Sequence, residues 1–146
     1  MAIVKHILKK SSSEVVVRLT GSPSDTTTLD IAGADFLAAD QALEAGVTQL
    51  VNINGVTWDG ENDALITVDR GGVRILTMQG TAAASFNFDG QDMPPLNIEN
   101  DQNVVVTFGG TGVGGVFLKF RKVAGYASKI ETAAFGQYDD ETAVGS

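Results

Sequence analysis

The stretch that decides the fold is Val104-Val-Val-Thr-Phe108, then Gly109-Gly-Thr-Gly-Val-Gly-Gly115, then Val116-Phe-Leu-Lys-Phe-Arg-Lys-Val123. The first and last parts are rich in β-branched and aromatic residues, and the last part alternates in the manner of a strand. The middle part is mostly glycine, which is typical of a connection between two strands. The sequence therefore predicts a strong pair of strands at this end of the chain.

The glycine segment also matches a nucleotide-binding pattern. Gly110 to Gly115 fits G-x-G-x-x-G literally. That motif binds a pyrophosphate only when a helix follows, because the N-terminal amides of the helix hold the phosphates. A strand-like segment follows here instead, so we interpret Gly110 to Gly115 as a turn and predict no cofactor.

Further strand-like runs lie upstream at short intervals. They cover Ile3–Leu8, Glu14–Thr20, Thr26–Ile31, Val47–Trp58, Ala64–Arg70, Val73–Gln79 and Thr81–Phe88. Gly71-Gly72 predicts a hairpin turn, whereas Asn54-Gly55 fits either a hairpin turn or a bulge within one long strand.

Many short strands separated by turn residues are the signature of an antiparallel sandwich or barrel. We predict an all-β antiparallel β-sandwich, jelly-roll-like or immunoglobulin-like. One domain is expected over residues 1–126, followed by a partly flexible C-terminal tail over 127–146.

One segment departs from the strand pattern. Between Asp35 and Glu44 the residues are good helix formers, with Phe36, Ala39 and Leu43 spaced three and four apart. Asp35 fits an N-cap, and Gly46 stands where a helix stop is expected. The pattern predicts one short helix near residues 35–45.

Composition excludes several kinds of chemistry. The 146 residues include no Cys and a single His, His6. Disulfides, iron–sulfur clusters, thiolate zinc sites and thiol nucleophiles are therefore excluded. No Gly-x-Ser-x-Gly motif is present, and His6 lies in a strand-like segment. We predict that the protein is not an enzyme and has no catalytic residues and no metal site.

One acidic loop leaves calcium binding open. Asp59-Gly-Glu-Asn-Asp63 carries three carboxylates, but Ala64 and Arg70 stand where an EF-hand loop needs Gly and Glu. A solvated acidic turn is the simpler interpretation.

Membrane and nucleic-acid partners are not expected. No segment approaches the length of about 18 apolar residues that a membrane span needs. The N-terminal segment has no apolar run of a signal peptide. The net charge of −8 also argues against nucleic-acid binding.

The charge is distributed unevenly. Residues 25–101 contain 13 acidic side chains and two arginines, a net charge of −11. Basic residues gather near the two ends of the predicted domain, and we predict that six of them contact a partner: Lys5, Lys9, Lys10, Lys119, Arg121 and Lys122. Such polarity suits docking on an acidic partner or on another copy, although lysines on an edge strand also prevent aggregation.

The aromatic residues suggest a second kind of binding. Trp58, Phe86, Phe88, Phe117 and Phe120 fit either a sugar-stacking platform or a sandwich core. A lectin-like sandwich that binds glycans through Trp58 or an aromatic face is therefore the alternative function.

Several short segments of the chain resemble small structural proteins of tailed bacteriophages, in particular of phages that infect marine cyanobacteria. The resemblance rests on Val51–Trp58, Ile66–Val73, Ser85–Phe88, Val104–Gly110 and Phe117–Val123, with Ile3–His6 at the start. It covers about residues 47 to 126 and includes no catalytic or ligand-binding residues.

The resemblance implies a virion component assembled in the host cytoplasm. It implies a capsid decoration or cement protein that binds the major capsid protein or other virion proteins, or else a neck or tail protein. It also implies a homo-oligomer on the particle.

Overall fold

The three-dimensional structure is a computed structural model, which describes residues 3–61, 63–80, 83–86 and 99–128. The strands within these ranges are β1 (Val4–Lys10), β2 (Glu14–Gly21), β3 (Thr26–Leu29), β4 (Gln41–Leu43), β5 (Leu50–Gly60), β6 (Leu65–Arg70), β7 (Val73–Gln79), β8 (Ala84–Phe86), β9 (Val104–Gly109), β10 (Gly114–Ala124) and β11 (Tyr126–Ser128). The predicted tail lies mostly outside the described residues.

The strands form two main antiparallel sheets and one small one. The five-stranded sheet has the order β1-β2-β10-β5-β8, and the four-stranded sheet has the order β3-β9-β6-β7. Strands β11 and β4 form a separate pair. The predicted all-β antiparallel sandwich is therefore confirmed.

The strand order distinguishes between the two predicted kinds of sandwich. Eight strands pair from the outside of the sequence inward: β2 with β10, β3 with β9, β5 with β8, and β6 with β7. Successive pairs alternate between the two main sheets. This is a long hairpin rolled into two sheets, which is a jelly roll. Strand β1 extends the five-stranded sheet beside β2.

The core lies between the two main sheets because apolar residues alternate along their strands. In β2 and β10 every second side chain points inward, and the same holds in β9. Side chains with zero or almost zero exposure in these three strands are Val15, Val17, Leu19, Val104, Val106, Phe108, Val116, Leu118 and Phe120.

Two predicted turns have different outcomes. Gly71 and Gly72 form the β6–β7 hairpin with φ angles of 56° and 80°. Asn54 instead lies in a bulge within β5, since Gly55 faces Lys119 while Ile53 faces Phe120. The bulge is therefore the correct alternative for Asn54-Gly55.

The predicted helix near residues 35–45 is wrong. The segment consists of turns followed by β4, which pairs with β11. Phe36 is fully buried, and its ring meets that of Phe120 edge-on at 5.1 Å, whereas Ala39 and Leu43 are exposed. A helix would place these three residues on one face. Burial of Phe36 and pairing with β11 therefore override the local helix propensity.

Candidate binding surface

Strand β1 is an exposed edge of the five-stranded sheet. All seven of its residues are exposed, and within the described ranges only β2 pairs with it. Val4 and Leu8 are about half exposed, at 52% and 53%. Among the residues that the structure describes, no strand pairs with the outer backbone of β1, which is the part of an edge strand that another chain can pair with.

The sheet register directs two lysines of β1 toward the segment before β4. Lys5 Nζ contacts Asp35 Oδ1 at 2.7 Å, and Lys10 Nζ donates to the carbonyl oxygen of Ala34 at 2.7 Å. Both lysines therefore fix β1 to the body of the domain as well as carrying charge.

A bulge at Leu8 places Lys9 on the other side of the sheet. Lys9 stands opposite Val16, which itself stands opposite Lys119. Lys9 also forms an ion pair with Glu14 at 3.3 Å. Arg121 lies opposite Glu14, two residues beyond Lys119. The structure thus brings Lys9, Lys119 and Arg121 together on the outer face of the five-stranded sheet.

Lys122 does not belong to that surface, so it is withdrawn from the predicted contact set. It is 8% exposed, and its ammonium donates to the carbonyl oxygen of Ser11 at 2.8 Å and to Gln41 Oε1. It also lies 5.0 Å from the centre of the Tyr126 ring. Burial lowers the pKa of Lys122 to about 8, and the nearby Lys10 charge adds to this effect.

The outer face also carries a row of side chains that crosses every strand of the sheet. His6, Arg18, Phe117, Thr57 and Ser85 occupy successive opposed positions on β1, β2, β10, β5 and β8. Phe117 is 41% exposed, and the guanidinium carbon of Arg18 lies 5.7 Å from its ring centre. The hydroxyl oxygens of Thr57 and Ser85 are 2.9 Å apart and share a hydrogen bond.

Three solvent-open depressions meet at Phe117. A depression of about 410 Å³ includes Gly55, Ser85 and Lys119, and one of about 470 Å³ includes Arg18, Asp59 and Gly115. The third, of about 380 Å³, extends over Trp58 and Ala84. Because all three are open to solvent, they could contact one side of a bound ligand and could not enclose it.

Among the predicted platform residues whose side chains the structure describes, Phe117 is exposed and the other two are not. Phe120 is buried in the core, and Trp58 is half-buried with Nε1 donating to the Gln79 carbonyl oxygen at 3.0 Å. The side chains of Phe86 and Phe88 lie outside the described part. The alternation of β10 could have identified Phe117 as exposed from the sequence. Phe117 lies between the inward-facing Val116 and Leu118, and it therefore points to the same outer face as Lys119.

The structure shows no cluster of metal-ligating side chains in the ranges that it describes. No three His, Asp or Glu side chains there are close enough to hold a metal ion. In the acidic loop, Glu61 Oε1 accepts a hydrogen bond from the Val113 amide at 3.2 Å. The glycine-rich segment leads into β10 and not into a helix. Over the same ranges, no helix is long and apolar enough to cross a membrane.

Comparison with known proteins adds distant structural neighbours. No protein-family model and no curated protein sequence matches the chain. A cupin domain from Bordetella pertussis Tohama I is 10% identical, with a TM-score of 0.40, over 84% of this chain and 95% of that one. A conserved protein with a double-stranded β-helix domain from Klebsiella pneumoniae is 11% identical, with a TM-score of 0.37, over 87% and 84% of the two chains.

Proposed function

We propose that this protein is a noncatalytic virion structural protein of a tailed bacteriophage. In this proposal it decorates the assembled head and stabilises it by docking on the major capsid protein. The observation that carries the proposal is strand β1, whose seven residues are all exposed at the edge of the five-stranded sheet. The resemblance of the sequence to phage structural proteins supports the same function.

An open edge strand offers two kinds of contact to a partner. Its backbone can pair with an extended segment of another chain, and its side chains select which segment binds. The half-exposed Val4 and Leu8 supply apolar area, while Lys9 and Lys119 supply positive charge on the adjoining face. Together these groups favour an acidic partner and disfavour pairing between two copies of β1.

A repeating lattice would strengthen such a contact. Each head presents many equivalent binding positions, so neighbouring copies of the protein can also contact one another. Several contacts then act together, and the copies stay bound to the head even when a single contact is weak. We therefore propose a homo-oligomer on the particle.

The test is co-sedimentation of the purified protein with heads that lack it, at low and high salt. We expect retention that decreases as salt increases, and Lys9→Glu should weaken it by about tenfold. Arg74→Glu is the matched control because Arg74 and Lys9 have 53% and 55% exposed side chains, and each pairs with one neighbouring carboxylate. Absence of retention of the unmodified protein at any salt concentration would refute the proposal.

A further inference from the structure

We infer that the outer face of the five-stranded sheet is a carbohydrate-binding site, in which a hexopyranose ring stacks on Phe117. The site shares Lys119 and the outer face with the proposed docking surface, but its centre, Phe117 in β10, lies two strands away from β1. The inference rests on the ring itself, on the space beside it and on the polar groups around that space.

The ring of Phe117 does not contribute to packing of the core between the two sheets. It is 41% exposed and stands among polar residues of the outer face, while the core is filled from the other side of the same strand. A large exposed aromatic side chain that adjoins concave surface is typical of a binding site.

Two glycines leave space on either side of the ring. Gly115 precedes Phe117 by two residues in β10, and Gly55 stands opposite Lys119 in β5. Without side chains at these positions, depressions of about 470 and 410 Å³ open beside the ring. Gly115 and Lys119 are four residues apart, about 13 Å along a strand, which suits a short oligosaccharide better than a single sugar.

The polar groups around the ring are those that sugar hydroxyls need. On the β5 and β8 side, the hydroxyls of Thr57 and Ser85 each retain capacity for another hydrogen bond. On the Gly115 side, Asp59 contributes a carboxylate, and a β-carbon added to Gly115 would lie only 3.0 Å from its Oδ1. The guanidinium group of Arg18, whose carbon lies 5.7 Å from the ring centre, adds N–H donors.

A pyranose matches this combination better than other ligands. A pyranose offers an apolar C–H face to the Phe117 ring, and its hydroxyls lie around the edge of the sugar. The aromatic ring and the polar side chains around it therefore both find partners. A phosphate-bearing ligand would find Arg18 and Lys119 beside the ring, but at the Gly115 end it would also meet the carboxylates of Asp59 and Glu61. A wholly apolar ligand would leave the hydroxyls of Thr57 and Ser85 without new partners.

The experiment is titration of the full-length protein with cellotetraose, maltotetraose, chitotetraose and mannotetraose, followed by calorimetry and by saturation-transfer NMR. We expect at least one of them to bind with a Kd of about 1 mM or tighter. Phe117→Ser should weaken that binding by about tenfold or more, and Phe117→Trp should retain it. Val123→Ser is the matched control, since Val123 lies on the same strand and is also 41% exposed.

The outcomes separate this site from the proposed docking surface. Support requires that Phe117→Ser loses sugar binding while Lys9→Glu keeps it, whether or not the unmodified protein sediments with heads. The inference is overturned if none of the four oligosaccharides binds, or if Val123→Ser weakens binding as much as Phe117→Ser. It is also overturned if Phe117→Ser changes only the oligomeric mass, because the face would then be a contact between copies.

Discussion

Arg70 Nη1 donates a hydrogen bond of 2.6 Å to the carbonyl oxygen of Val51, and thereby joins the end of β6 to β5 in the opposite sheet. Arg70 is only 2% exposed, and its remaining bonds go to the carbonyl oxygens of Asn100 and Gln102 at 2.8 to 3.1 Å. Burial lowers its pKa to about 10, although Asp101 and other nearby groups oppose the change. The side chain is therefore still charged at neutral pH and serves as a buried clamp.

Replacement of Arg70 by Met should destabilise the protein by about 3 kcal/mol, because several buried carbonyl oxygens would lose a charged donor. Urea unfolding measures the change. Arg74→Met is the control, since Arg74 has a 53% exposed side chain and one ion pair, and it should cost less than about 1 kcal/mol. Equal losses in the two variants would show that Arg70 does not clamp the sheets.

Stability should rise with pH between about 8 and 10 because of Lys122. Its pKa is about 8 in the folded protein against an ordinary lysine value of 10.5, so the unfolded chain binds more protons in this interval. Above this interval, Arg70 and Tyr126 change the stability in opposite directions as the pH rises. Burial lowers the pKa of Arg70, whereas it raises the pKa of Tyr126.

Unfolding by urea at several pH values tests this expectation. Lys122→Met should flatten the rise, whereas the half-exposed Lys119, three positions earlier in β10, should be replaceable by Met without changing it. A slope that persists in Lys122→Met would assign the effect to another group.

Gly125 should tolerate no side chain. Its φ angle is 87°, and an added β-carbon would lie 2.5 Å from the Cα of Gln49. We expect Gly125→Ala to cost about 3 kcal/mol or more in thermal or urea unfolding, because strain and a backbone clash combine. Gly46 has a φ angle of 77° with nothing within 4 Å, so Gly46→Ala should cost only about 1 kcal/mol. Similar losses of stability in Gly125→Ala and Gly46→Ala would contradict the close approach of the Gln49 backbone to Gly125.

Phe36 and Phe117 should differ sharply in their contributions to stability. Phe36→Ala removes a fully buried ring that contacts Phe120 and should cost about 4 kcal/mol. Phe117→Ala should cost less than about 1 kcal/mol, because the ring is 41% exposed. Differential scanning calorimetry of both variants measures this contrast. A large loss in Phe117→Ala would mean that its ring is a packing element.

Much of the fold could be predicted from the sequence because a strand shows locally, as an alternation of apolar and polar residues between turn residues. The alternation in Val116 to Lys122 fixed which side chains face the core, and Gly71-Gly72 fixed a hairpin. The same alternation assigns Phe117, Lys119 and Arg121 to one outer face. The absence of Cys and the single His excluded whole classes of chemistry without any structure.

Contacts between distant residues decided the rest. The helix-forming segment after Asp35 became turns and a short strand because Phe36 is buried against Phe120, 84 positions later. Lys122 shares the inward position of Val116, Leu118 and Phe120 in the alternation, although its charge is typical of the surface. A buried ammonium is stable there because Ser11 and Gln41 accept its hydrogen bonds. Local pattern thus determined the strands and the faces of their side chains. Only long-range pairing and packing decided which sheet holds each strand, and which charges reach the surface.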